Sequence, residues 1–257
     1  MRWSLFQKLV DIEIIGAGLV GSLPSCLCSL TNLTRLILKN NNLNGSITSE
    51  IGSLSSLQVL DLCENSLIGE IPHSIGKLNR LQILNLHSNQ LSGPIPSQLT
   101  KLTSLSFLSL AVNKLCGEIQ FDWSVFQNLA TLDLGMNFFR GQIPVSLGTA
   151  SSLLEVLKLS GNLFSGSIPR QLALLKKLSV LTLDANQLVG TVPPELSKLS
   201  CLVKLSLAGN KFDGPLHRDI LAITRRKNNG KTEKKCVCDF DEGVLEKDEP
   251  GGVRFLY

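Results

Sequence analysis

The chain has 257 residues and a formal net charge of +4, with 43% hydrophobic but only 5% aromatic side chains. That length suffices for one sizeable domain with its own core, and the core must be filled by aliphatic side chains. No basic stripe interleaved with aromatics occurs before residue 217, which argues against a nucleic-acid partner, and no run of 18 apolar residues is present to span a membrane.

In chain order, residues 1–8 form an edge without cysteine. Asp11 and Glu13 interrupt the apolar run MRWSLFQKLVDIEIIGAGLVGSL, so the start does not read as a signal peptide. If the protein is secreted, both ends of the chain are expected to be incomplete. Seven cysteines are scattered at Cys26, Cys28, Cys63, Cys116, Cys201, Cys236 and Cys238. The two C-x-C pairs lack the spacing of a zinc framework. No metal site and no cofactor are expected, and most of the cysteines read as small apolar fillers.

From residue 9 onward the chain repeats itself. The segment from Leu57, LQVLDLCENSLIGEIPHSIGKLNR, is followed from Leu81 by LQILNLHSNQLSGPIPSQLTKLTS. The register continues from Leu105, Leu129, Leu154, Leu178 and Leu202, and runs back to Leu33 and Leu9, giving nine repeats over residues 9–217. One asparagine marks the period. Asn41, Asn65, Asn89, Asn113, Asn137, Asn162, Asn186 and Asn210 lie 24 residues apart, except for one step of 25 whose extra residue falls in TASSLL before Leu154. Such constant spacing is the signature of stacked coils.

Each unit reads physically. In LTRLILKNN, Leu36 and Leu38 alternate with Arg35, Ile37 and Lys39, the period of a short strand with its leucines inward. The asparagine that follows is expected to be buried, its amide pairing backbone groups where the chain turns. Stacked coils would align these amides in a ladder, and losing one would leave polar groups unpaired at ~1–3 kcal/mol. A glycine four residues on gives the next turn its backbone freedom. Ile71-Pro72, Ile95-Pro96, Ile143-Pro144 and Ile168-Pro169 are expected to open a short, tight helical turn, with apolar residues three apart as in Ile75, Leu78 and Leu81. After Asn113, Gln120 replaces the proline and Trp123, Phe126 and Leu129 fill the apolar slots, so these aromatics read as core. One coil cannot hide its own leucines; stacking buries about six Leu or Ile per coil, each contributing roughly 1.5–3 kcal/mol.

The unit LxxLxLxxNxLxGxIPxxIGxLxx, as it stands in Leu57–Arg80, resembles the plant-specific leucine-rich repeat. That repeat builds the ectodomains of plant receptor-like kinases and receptor-like proteins, and polygalacturonase-inhibiting proteins. The resemblance spans residues 9–217. It implies an α/β solenoid: a right-handed leucine-rich-repeat superhelix of nine 24-residue coils with a parallel β-sheet on the concave face, and short strands from LxGxIP on one flank. It also implies a place at the outer face of the plasma membrane or in the cell wall. The partners it implies are a peptide, glycan or protein ligand and a co-receptor. Family ectodomains carry cysteine pairs in caps at both ends; residues 1–8 have none, and Cys236/Cys238 lie in polar surroundings unlike such a cap. No kinase signature is present, since His217-Arg218-Asp219 lacks the downstream Asn and DFG.

The outward strand positions form columns. The central column reads Glu13, Ile37, Asp61, Asn85, Ser109, Asp133, Lys158, Thr182, Ser206, and the next reads Ile15, Lys39, Cys63, His87, Ala111, Gly135, Ser160, Asp184, Ala208. Such small and polar positions on a rigid scaffold suit an extended partner. The candidate ligand-binding residues are Glu13, Asp61, Asn85, His87, Phe107, Ser109, Asp133, Lys158, Thr182 and Asp184. The preceding column is apolar in its middle (Val59, Ile83, Phe107, Val156, Val180) and reads as packing between parallel strands. Phe107 beside Ala111 and Val112 is the exception that merits a test. Asp61, His87 and Ser109 can be drawn as a triad, but a shallow sheet offers no water-excluding pocket or oxyanion hole, so no enzyme is expected. Asn32-Leu33-Thr34 and Asn44-Gly45-Ser46 are glycosylation sequons, relevant only to a secreted chain.

Residues 218–257 leave the pattern. A basic half (Arg225, Arg226, Lys227, Lys231, Lys234, Lys235) precedes an acidic half (Asp239, Asp241, Glu242, Glu246, Asp248, Glu249). The charges nearly cancel, which fits a solvated, disordered tail rather than a membrane or nucleic-acid segment. The sequence therefore predicts a recognition module, the ectodomain or a fragment of it from a plant receptor-like kinase or receptor-like protein in development or defence signalling. The alternatives are a secreted inhibitor of a cell-wall-degrading enzyme such as polygalacturonase, and a truncated product without function.

Overall fold

The computed structural model describes residues 6–220; the expectation of a disordered tail beyond them lies outside the described residues. Nine short strands, one per coil, form one parallel sheet in chain order: Asp11–Glu13, Arg35–Ile37, Val59–Asp61, Ile83–Asn85, Phe107–Ser109, Thr131–Asp133, Val156–Lys158, Val180–Thr182 and Lys204–Ser206. We number the coils one to nine after these strands. Neighbouring coils are in phase, with Leu36 opposite Leu60, then Leu84, Leu108 and Leu132. All five leucines are fully buried, because alternation sends every second side chain into the space between the sheet and the far side of the coil.

A second parallel sheet of seven strands, from Ile68–Gly69 to Lys211–Phe212, runs along one flank. The recurrent glycine lies within or at the end of these strands and takes φ values such as +87° at Gly117 and +81° at Gly141, a region open to glycine at little cost. The remaining side is made of 3-10 turns such as His73–Lys77 and Ser97–Lys101. Pro72, Pro96, Pro144 and Pro169 stand one residue before these turns, as extended N-caps with φ between −63° and −68°. Where Gln120 replaces proline, the turn shortens to Trp123–Val125, and Asp122 caps it by accepting from the Ser124 N–H at 2.9 Å.

The ladder is as the period requires. The Asn113 side-chain amide donates to the carbonyls of Leu86 in the preceding coil and of Leu110 and Ala111 in its own, while its oxygen accepts from Leu91 N–H at 2.9 Å. In the coil after the longer one, Asn162 makes the same contacts one residue further back, to Leu134 and Phe139. The extra residue is absorbed where Ala150 turns helical and Ser151 donates to the Gln127 carbonyl at 2.9 Å. Trp123 and Phe126 are fully buried, and the Trp123 indole N–H donates to the Ile119 carbonyl at 3.1 Å. Past residue 217, Ile220 is also fully buried against the last coil.

The expectation for the cysteines needs correction. Cys28 and Cys63 are buried, but Cys26, Cys116 and Cys201 are exposed; Cys236 and Cys238 lie outside the described residues. Cys116 follows the inward Leu115 on a flank strand, so strand alternation turns it to solvent.

Candidate functional site: the concave sheet face

The sheet register aligns the central column as expected, with Asp61 opposite Asn85, Asn85 opposite Ser109, Ser109 opposite Asp133, Asp133 opposite Lys158 and Lys158 opposite Thr182. Exposure divides the candidates. Glu13 and Lys158 are exposed, whereas Asp61, Asn85, His87, Phe107, Asp133 and Asp184 are half-buried. Ser109 and Thr182 are nearly covered, at 4% and 6% exposure. Their side chains point outward but are short, and longer residues stand opposite them in the neighbouring strands: Asn85 and Asp133 beside Ser109, Lys158 beside Thr182. A ligand therefore meets their longer neighbours first.

Local bonds already engage part of the polar row. One side-chain oxygen of Asp61 accepts from the Cys63 N–H at 3.0 Å, that of Asn85 from His87 N–H at 3.3 Å, and that of Asp133 from Gly135 N–H at 3.1 Å. The second Asp133 oxygen lies 3.3 Å from Lys158 Nζ, and Ser160 Oγ donates to Asp184 at 2.6 Å. At the amino-terminal end Arg35 bridges Asp11 at 2.7 Å and Glu13 at 3.2 Å. Burial, helped by Asp61 nearby, pushes the Cys63 thiol up to about 12. Among the described residues no hydrogen bond joins Asp61, His87 and Ser109, and no group of three His, Cys, Asp or Glu is placed to hold a metal.

The sequence-derived candidates omitted one feature. Val112, Met136, Phe138 and Leu163 are 41%, 61%, 53% and 42% exposed at the edge where the concave sheet turns into the flank. Each lies beside a ladder asparagine, a position the repeat leaves free, so the signal was present in the sequence as apolar residues in a variable slot. The sequon asparagines Asn32 and Asn44 are exposed, with Asn32 donating to the Gln7 carbonyl at 2.9 Å. A separate open groove of about 430 Å³ lies between coils six and eight, lined by Gln142, Ser167, Arg170 and Glu195 among others. No helix of the described residues is long and apolar enough to cross a membrane.

A family model described as a leucine-rich repeat region matches residues 21–137, and a second leucine-rich-repeat model matches residues 153–175. This chain is a leucine-rich-repeat protein. It is similar to the ectodomain of the plant membrane receptor kinase GASSHO1/SCHENGEN3 from Arabidopsis thaliana, solved in complex with CASPARIAN STRIP INTEGRITY FACTOR 2, at 34% identity and a TM-score of 0.70 over 85% of this chain and 29% of that one. It is also similar to the plant peptide hormone receptor RGFR1 in complex with RGF2, at 29% identity and 0.63 over 83% and 42%. A plant ice-binding protein matches at 28% identity and 0.71 over 81% and 67%. No curated protein matches the sequence. The leucine-rich-repeat chain thus spans 29% and 42% of the two receptor ectodomains. Its repeats are similar to those of these plant receptor ectodomains, which were solved with bound partners on the same fold.

Proposed function

We propose that this chain is the recognition segment of a plant receptor-like kinase or receptor-like protein, acting at the outer face of the plasma membrane or in the cell wall. It binds a peptide, glycan or protein ligand on the concave face and the adjoining flank, with a co-receptor as a further partner. The observation that carries this reading is the continuous nine-strand face, whose outward residues vary from coil to coil while the leucines and asparagines behind them do not. The 34%-identical receptor kinase ectodomain solved with a bound factor supports it. A rigid sheet presenting free outward positions is the general means by which solenoids bind. No catalytic role is assigned, and Asn32 and Asn44 are the proposed glycan acceptors.

The test is amide hydrogen exchange of the full chain with and without peptides and glycans captured from plant extracellular fluid. Protection of the concave strands and adjoining flank across coils three to eight is expected. Protection confined to the 3-10 turns, or no captured ligand, overturns the assignment.

A further inference from the structure

We infer that the ligand of the concave face is an extended cationic segment with one large apolar side chain, seated at coils five and six. This rests on the recognition role proposed above and names the chemistry of its partner.

The seat is built from a floor and a rim. Ala111 is 4% exposed and Gly135 has no side chain, so the outward column is at its shallowest in these two coils. Half-buried Phe107 stands on one side, and Val112 and Met136 stand on the other. Val112 and Met136 hold φ of +55° and +53°, where the other coils place Asn40, Glu64, Ser88, Ala185 or glycine. A β-branched valine is strained in that region, and strain of this kind concentrates at binding sites. Met136 leans over the next coil, its sulfur 2.6 Å from where a Cβ on Gly161 would stand. The thioether is thus shelved on a bare backbone and still 61% exposed, as suits a flexible apolar contact.

Charge selects the rest of the partner. The outward positions of the concave face carry six carboxylates, of Asp11, Glu13, Asp61, Glu64, Asp133 and Asp184, against four cations, of Arg35, Lys39, Lys158 and Lys204. The face is therefore acidic on a chain whose formal charge is +4. Arg35 and Lys158 are already paired, and Asp61, Glu64 and Asp184 form no ion pair among the described residues. Asp61 and Glu64, with Lys39 as their basic neighbour in coil two, sit two coils before the seat; Asp184 sits two coils after it. Coils ~4.8 Å apart put these acids ~10 Å from the seat, which an extended chain advancing ~3.3 Å per residue covers in ~3 residues. The matching segment has a basic residue about three positions to either side of its apolar residue.

The probe is a labelled synthetic peptide, Gly-Arg-Ser-Ser-Phe-Ser-Ser-Arg-Gly, titrated against the full chain by fluorescence anisotropy. Saturable binding is expected, weakened at least about tenfold by Glu in place of both Arg, by Ser in place of Phe, and by Met136→Lys or Asp184→Lys, as for central interface residues. Met136 is exposed enough for its substitution to leave the fold intact, which the circular dichroism of the variant checks. Equal binding of the Glu peptide, or no effect of Met136→Lys, overturns the inference. A random peptide library passed over the immobilised chain separates the two claims. Retention of acidic or wholly polar peptides overturns the cationic segment but keeps the recognition role; retention of nothing overturns both.

Discussion

Two rows of side-chain oxygens run along this solenoid only four residues apart in each coil, and they do opposite things. In the inner row, Asn137 is 6% exposed, and its amide reaches the carbonyls of Leu110, Leu134 and Gly135 while its oxygen accepts from Leu115 N–H at 3.0 Å. In the outer row, Asp133 is half-buried; one oxygen holds the Gly135 N–H two residues on and the other faces Lys158. The inner row ties coil to coil, and every donor and acceptor has a partner. The outer row bonds backbone only within its own turn, reaches the next coil only through side chains such as Lys158, and keeps hydrogen-bonding capacity on the surface. Burial and reach, rather than residue type, separate a structural amide from one a ligand can use.

The strongest way to break this contrast is to remove a central rung. Asn113→Ala orphans the Leu91 N–H and takes one of two donors from the carbonyls of Leu86, Leu110 and Ala111, which keep the Asn89 amide, the Asn137 amide and the Ser88 N–H. At ~1–3 kcal/mol for the one buried group left unpaired, with a smaller loss from the second donors of the three carbonyls, about 2–4 kcal/mol of stability is expected to be lost. The urea midpoint measures it, and a loss below about 1 kcal/mol would mean the ladder is decorative. The last rung should matter less. Asn210 makes the same set of bonds, to Leu183, Leu188, Leu207 and Ala208, but is itself half-exposed at the end of the stack. Water can replace its amide there, so Asn210→Ala is expected to cost about 1–2 kcal/mol.

The inner row was legible in the sequence because a constant 24-residue spacing cannot arise unless the same contact recurs. The strands, the tight turns and the buried Trp123 followed from the same periodicity. The glycine within the 3-10 turn was less legible. At Gly148 a Cβ would stand 2.2 Å from the Gln171 carbonyl oxygen, and at Gly76 2.5 Å from that of Gln98, so this glycine serves the close approach of one coil to the next. Periodicity flags such a residue without saying what it touches. The outer row was legible as to which residues point outward but not as to how deep they lie. Ser109 sinks between the longer Asn85 and Asp133, and Thr182 beside Lys158, and depth depends on side chains 24 residues away in the adjacent strands. Val112 was noted as a neighbour of Phe107, but exposed Met136, Phe138 and Leu163 escaped because the repeat sets no rule at their position.

The outer row gives a smaller effect on stability. Asp133→Ala removes the Gly135 cap and the ion pair with Lys158, whose side chain is 46% exposed. A partly solvated pair and one local bond together are expected to contribute about 0.5–1 kcal/mol, well under a central rung. A loss equal to that of Asn113→Ala would show that the two rows are not distinct.

The finest test of the outer row is chemical. Cys63 follows Asp61 by two residues in an outward position, yet it is 6% exposed and its thiol is pushed up to about 12, chiefly by burial and then by Asp61. A raised value means the reactive thiolate is scarce below it. At pH 8, iodoacetamide is therefore expected to modify exposed Cys116 and Cys201 well before Cys63, as read by peptide mass mapping. Replacing the neighbouring charge, Asp61→Asn, should lower the Cys63 value and quicken its labelling while leaving it slower than Cys116, because burial, the larger cause, remains. If Cys63 in the unaltered chain is modified as fast as Cys116, the outward row is open down to its backbone, and shortness of side chain no longer explains why Ser109 and Thr182 are covered.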